Sequence, residues 1–82
     1  MGEQTLTLYS RAHCHLCDEM LGALRNLQGL GRFEVEVVDV DGDPALRQRY
    51  GEDVPVLVHG GHELCRHRLD AEALVVYLAK LA

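Results

Sequence analysis

Residues 11–17 read Arg11-Ala12-His13-Cys14-His15-Leu16-Cys17, and they separate two kinds of periodicity. Before them, residues 4–10 alternate: Leu6 and Leu8 share one face, Thr5, Thr7 and Tyr9 the other, as in a β-strand. After them, residues 15–28 carry Leu16, Met20, Leu24 and Leu27 at steps of four, four and three, the stripe of an amphipathic helix. Asp18, Glu19, Gly22, Arg25 and Asn26 fill the opposite side, and Gly29 and Gly31 supply the stop. A Cys-x-x-Cys pair at a strand-to-helix junction has a definite chemical use. Free backbone N–H groups and the helix dipole favour an anion where Cys14 sits, which raises its thiolate fraction. Cys17 returns to the same helical face, with Cα atoms about 5–6 Å apart and within disulfide range. Cys14 can then attack a substrate disulfide, and Cys17 can release the mixed disulfide by closing an internal bridge.

The rest of the chain extends the alternation of strand and helix. Residues 33–40 read as a second strand. A short helix follows, with Asp43 as cap, Pro44 at the first helical position, Leu46 and Tyr50 four apart, and Gly51 at the close. Residues 54–58, Val-Pro-Val-Leu-Val, are a continuous apolar run, the mark of a strand buried on both faces. Gly60-Gly61 signals a hairpin turn, and residues 62–67 read as a polar edge strand. Asp70 caps a last helix whose apolar stripe is Ala71, Leu74, Val75, Leu78 and Leu81. The order β-α-β-α-β-β-α opens with parallel strands joined by a right-handed crossover and closes with a hairpin. A four-stranded mixed sheet with helices on both faces is the economical solution.

Length and charge bound the function. The 82 residues make one small domain, read as 1–82, in which 48% of residues are apolar and 26% charged. Eight Lys and Arg against thirteen Asp and Glu give a net charge of −5, which argues against gripping nucleic-acid phosphates or an anionic membrane surface. No apolar run is long enough to span a bilayer, and Met1-Gly2-Glu3-Gln4 lacks the positive charge of a signal peptide. With three cysteines, an odd number, the reading is a cytoplasmic monomer rather than a disulfide-framed secreted domain. Its partners are then disulfide-bearing proteins or low-molecular-weight thiols. A metal role is the alternative. The Cys14–Cys17 pair could be half of a zinc site, completed by Cys65 and a histidine, or could carry an iron–sulfur cluster with external ligands. Against zinc, there is no second Cys-x-x-Cys and no finger-spaced histidine pair, and strand alternation puts His62 opposite Cys65 and His67.

Taken over nearly its whole length, the chain resembles a glutaredoxin of the thioredoxin superfamily. The likeness rests on the strand–Cys-x-x-Cys–helix junction, the element order, the Val54-Pro55 step and the size. Within that group it is similar to small bacterial glutaredoxin-like proteins with a Cys-His-Leu-Cys site. The resemblance implies an α/β, thioredoxin-like, three-layer fold and thiol–disulfide exchange. It implies that Cys14 is the nucleophile and Cys17 the resolving thiol, and that Arg11 meets a glutathione carboxylate. It also implies that Val54 offers its backbone to an extended substrate and that Pro55 is a cis-proline. Glutathione is a reductant that the resemblance allows, with no cofactor tightly bound.

The chain departs from the family pattern at two places. His15-Leu16 stands where glutaredoxins carry Pro-Tyr, and a charged His15 would stabilise the Cys14 thiolate. Cys65-Arg66 stands at the usual Gly-Gly, so weaker glutathione binding is expected; Asp70, the acid that follows, reads first as a helix cap and is also the substrate-binding candidate that the resemblance implies for the glutathione amino group. Cys65 reads as a small half-buried hydrophobe outside the catalytic set. Tyr9 reads as a partly buried sheet tyrosine, and Asp39-Val40-Asp41-Gly42-Asp43 as a solvated turn ending in a cap. His59 and His62 are expected in solvent beside the glycine turn.

Overall fold

The computed structural model describes residues 4–29 and 33–81; Gly31, one of the two expected helix stops, lies outside them. Strand β1 is Gln4–Ser10, helix α1 His15–Gln28 and strand β2 Phe33–Asp39. A 3₁₀ turn, Val40–Gly42, leads into helix α2, Pro44–Tyr50. Strands β3, Val56–His59, and β4, His62–Arg66, precede helix α3, Ala71–Leu81. The sheet order is β2-β1-β3-β4, with β1 parallel to β2 and the other pairs antiparallel.

Side-chain alternation divides the core into two layers. Leu6, Leu8 and Leu57 face α1 and α3, where they meet Met20, Leu24, Phe33 and Leu74. Val56 and Val58 face the other way, against Val40 and Tyr50. The apolar run of β3 is therefore buried on both faces, as its composition requires. Tyr9 packs on the α2 side, its ring stacked on Tyr50 with centroids 4.4 Å apart. Gly51 closes α2 at a close approach: a Cβ there would strike the backbone carbonyl of Arg47.

Three local readings change. β3 begins at Val56 rather than at residue 54, just after the cis Val54-Pro55 step. The β3–β4 hairpin turns on Gly60 and Gly61, both at positive φ, and carries a bulge: Leu57 pairs with Cys65 but Val58 with Glu63. That extra residue breaks the alternation, so Leu64 and Cys65 pack on the same core layer instead of opposite faces. His62 likewise lines the same cleft as Cys65. On α3, Leu74 is buried and Leu78 packs on the core, but Val75 and Leu81 are largely exposed. The helix meets the sheet along a narrower arc than its apolar stripe.

Leu57 has no accessible surface and pairs with both neighbouring strands at the centre of the sheet. Leu57→Ala is expected to lower the unfolding free energy by about 2–5 kcal/mol, read from denaturant midpoints; a loss under about 0.5 kcal/mol would contradict this packing.

Candidate active site

Parallel β1 and β2 end on the same side of the sheet, and antiparallel β3 begins there. The loop 11–14, the acidic turn after β2, the Val54-Pro55 step and the end of β4 therefore share one end of the molecule. Tyr9 pairs with Val56, so the next step of that ladder sets Ser10 opposite Pro55. The N–H of His67 donates to the carbonyl of Pro55 at 2.8 Å, drawing the end of β4 onto the same step. Val54 lies beyond the last paired residue of β3, outside the sheet's ladder.

Cys14 has extended backbone and caps α1: its Sγ accepts the N–H of Cys17 at 3.1 Å. The chain reaches that position through His13, which is in the left-handed region at φ 59°. Cys14 and Cys17 are disulfide-bonded, with Cα atoms 5.2 Å apart, as the spacing predicts. Cys14 is partly exposed, whereas Cys17 is 3% exposed and belongs to the core. One sulfur is thus partly open to solvent and the other sits behind it.

Two residues near the pair have partners that the sequence reading did not assign. His15 is highly exposed and its Nε2 meets Glu19 at 2.8 Å, one turn along the outer face of α1. The ring is therefore paired on the solvent side rather than turned to the thiol. Arg11 is not a free cation: its Nε and Nη2 donate to both carboxylate oxygens of Asp41, at 3.1 and 3.0 Å. Its Nη1 donates to the carbonyl of Gly51 at 3.0 Å. The acidic turn is thus not wholly solvated. Asp39 and Asp43 accept the N–H groups of Asp41 and Ala45 as caps, and Asp41 holds Arg11. Sequence reasoning missed the role of Asp41, which the strand register creates. Ser10 pairs with Asp39 in register, so a residue just after β1 meets residues just after β2.

Asp70 caps α3 as expected, its Oδ1 accepting the N–H of Ala73 at 3.0 Å. Cys65 borders a cleft of about 190 Å³ between β4 and α3, with Asp70, Leu74 and Tyr77 among its other walls. Burial pushes the Cys65 thiol up, and the backbone N–H of Asp70 offsets this only in part. His59 is not in solvent: it lies between the Tyr77 hydroxyl, at 2.6 Å, and Gln4 Oε1, at 3.0 Å. His62 is exposed but stacks on Tyr77. Among the described residues no three His, Cys, Asp or Glu side chains are grouped to hold a metal ion. Among the described residues no helix is long and apolar enough to cross a membrane.

This order of strands and helices, with a disulfide-bonded Cys-x-x-Cys at the first strand–helix junction, defines a thioredoxin-like α/β protein of four-stranded mixed sheet and three helices. A family model described as Glutaredoxin-like domain (DUF836) matches residues 5–79, and the chain belongs to that family. It is similar to proteins of Mycobacterium tuberculosis and Mycobacterium bovis described as uncharacterized. Each is 30% identical over 82 residues, covering 88% of this chain and 84% of theirs. Among solved structures, a protein from Nitrosomonas europaea superposes with a TM-score of 0.84 at 39% identity, over 94% of this chain and 93% of that one. A protein from X. campestris gives 0.73 at 40% identity, over 94% and 99%. A thioredoxin variant from Halobacterium salinarum gives 0.67 at 24% identity, over 94% and 73%, a likeness of fold.

Arg66 ties this end together by donating to Glu63 at 2.6 and 2.7 Å and pairing with Asp53 at 3.0 Å. Its hydrogen bond to Glu63 holds that carboxyl below the usual range. A lowered folded-state pKa gives stability that is present above the unfolded pKa and lost as pH falls through the folded one. Glu63→Gln should therefore unfold at lower denaturant than the parent at pH 7, with the gap closing between about pH 5 and pH 3. A gap that persists undiminished in acid would contradict the pairing.

Proposed function

We propose that the chain is a thiol–disulfide oxidoreductase working through Cys14 and Cys17. The observation that carries this reading is the cap on α1. The more exposed sulfur occupies the position where a helix N-terminus stabilises negative charge, and it is already bonded to a buried partner. In the reduced protein the Cys14 thiolate attacks one sulfur of a substrate disulfide, forming a mixed disulfide and expelling the first substrate thiolate. Cys17 then gives up its proton and attacks the Cys14 sulfur, forming the internal disulfide and expelling the second thiolate. Two electrons pass to the substrate for one disulfide formed. Two molecules of a low-molecular-weight thiol, glutathione being the one to test, return the pair to the dithiol.

Val54 and Pro55 are the substrate-facing residues in this reading. Lying outside the ladder, the Val54 backbone can pair with an extended segment of a disulfide-bearing protein as a short added strand. Arg11 and Asp70 are the charged groups this reading adds to the site. Cys65 stays outside the catalytic set, since a raised thiol pKa leaves little thiolate at neutral pH.

The two sulfurs have different duties, so their variants should differ. Cys14→Ser should abolish reduction of a model disulfide. Cys17→Ser should accumulate a mixed disulfide on residue 14, seen by mass spectrometry. Trapping on Cys17 in the Cys14→Ser protein would reverse the assignment, and full exchange in both variants would remove it.

A further inference from the structure

We propose that Asp41 determines substrate specificity by withholding Arg11, so that Cys14 exchanges preferentially with thiols and disulfides carrying no carboxylate near the sulfur. This deepens, and rests on, the disulfide-exchange reading. Arg11 is three residues before Cys14 and is the cation nearest to it on that loop. A guanidinium there would normally attract an anionic partner. Here both oxygens of Asp41 and the Gly51 carbonyl take three of its N–H groups. The paired, fork-to-fork geometry is the strongest an arginine makes with a carboxylate, so turning Arg11 toward a substrate would break all three bonds together.

Asp41 is the acid of the turn that Arg11 engages. Asp39 and Asp43 are committed to backbone N–H groups. The second arginine at this end, Arg66, is likewise taken up by Asp53 and Glu63. Arg68 has no carboxylate partner among the described residues. It follows β4, however, and β4 is two strands away from β1, about 10 Å across the sheet. On loop 11–14 the one arginine is already neutralised by Asp41, with Asp39 and Asp43 beside it after β2, while the last turn of α2 adds Arg47 and Arg49.

The test compares glutathione with its diethyl ester as reductants of the oxidised protein. The two share a thiol and differ in carboxylate charge; each rate is divided by that on a small uncharged disulfide. In each case the reductant thiolate attacks the Cys14 sulfur and Cys17 leaves as thiolate. A second reductant thiolate then takes the bound one as its disulfide and frees Cys14. The unaltered protein should react faster with the ester, and added salt should narrow the difference by screening. Asp41→Asn should raise the glutathione-to-ester ratio about fivefold by releasing Arg11, and adding Arg11→Met should remove that gain. A purely structural clamp would move both rates together. A preference for glutathione at low salt, or a folded Asp41→Asn protein with an unchanged ratio, would overturn the inference. Should Asp41→Asn fail to fold, the salt series on the unaltered protein decides alone. If neither thiol reduces the pair, the exchange reading itself falls and this inference with it.

Discussion

One hydrogen bond organises the reactive end of the molecule: the N–H of Cys17 given to the sulfur of Cys14. It is a helix cap in which sulfur stands where a hydroxyl or carboxylate oxygen usually does. It satisfies one of the N–H groups that a helix start leaves free, and it fixes the sulfur within reach of the rest. The same geometry sets the second cysteine one turn inside, in the core, where it is almost fully covered. Exposure of Cys14 and burial of Cys17 are thus two consequences of a single helix start.

That start has to be held in place, and the sheet topology supplies the means. Because β1 and β2 run parallel, the loop after β1 and the turn after β2 emerge together. Arg11 and Asp41 join them, and the Gly51 carbonyl adds the end of α2. On the other side, Pro55 meets His67, and Arg66 binds Asp53 and Glu63. The disulfide loop is therefore flanked by two arginine-centred anchors. Each anchor neutralises its own cation, so the arrangement that steadies the disulfide loop also sets the charge around it.

The parts of this plan that the sequence showed are those written in periodicity. Leu6 and Leu8, then Leu16, Met20, Leu24 and Leu27, define β1 and α1 with their observed bounds. Asp43-Pro44 and Asp70 mark helix starts because capping is a local interaction. The hidden parts depend on contacts distant in sequence. The β4 bulge shifts Cys65 to the face of Leu64, and no period-two reading of residues 62–67 can register an inserted residue. His59 looks like a turn residue until α3 brings Tyr77 against it. Arg11 and Asp41 are 30 positions apart, and only the parallel register makes them neighbours. Individual charges are the least legible of all, since a side chain's partner depends on the finished fold.

The central claim is that the start of α1 makes Cys14 the reactive thiol of the three. The direct measurement is alkylation of the fully reduced protein at neutral pH with a limiting amount of iodoacetamide, followed site by site by mass spectrometry. The account predicts that Cys14 is modified first, with buried Cys17 and the burial-shifted Cys65 well behind. Modification of Cys65 or Cys17 at the same rate as Cys14, or ahead of it, would contradict it.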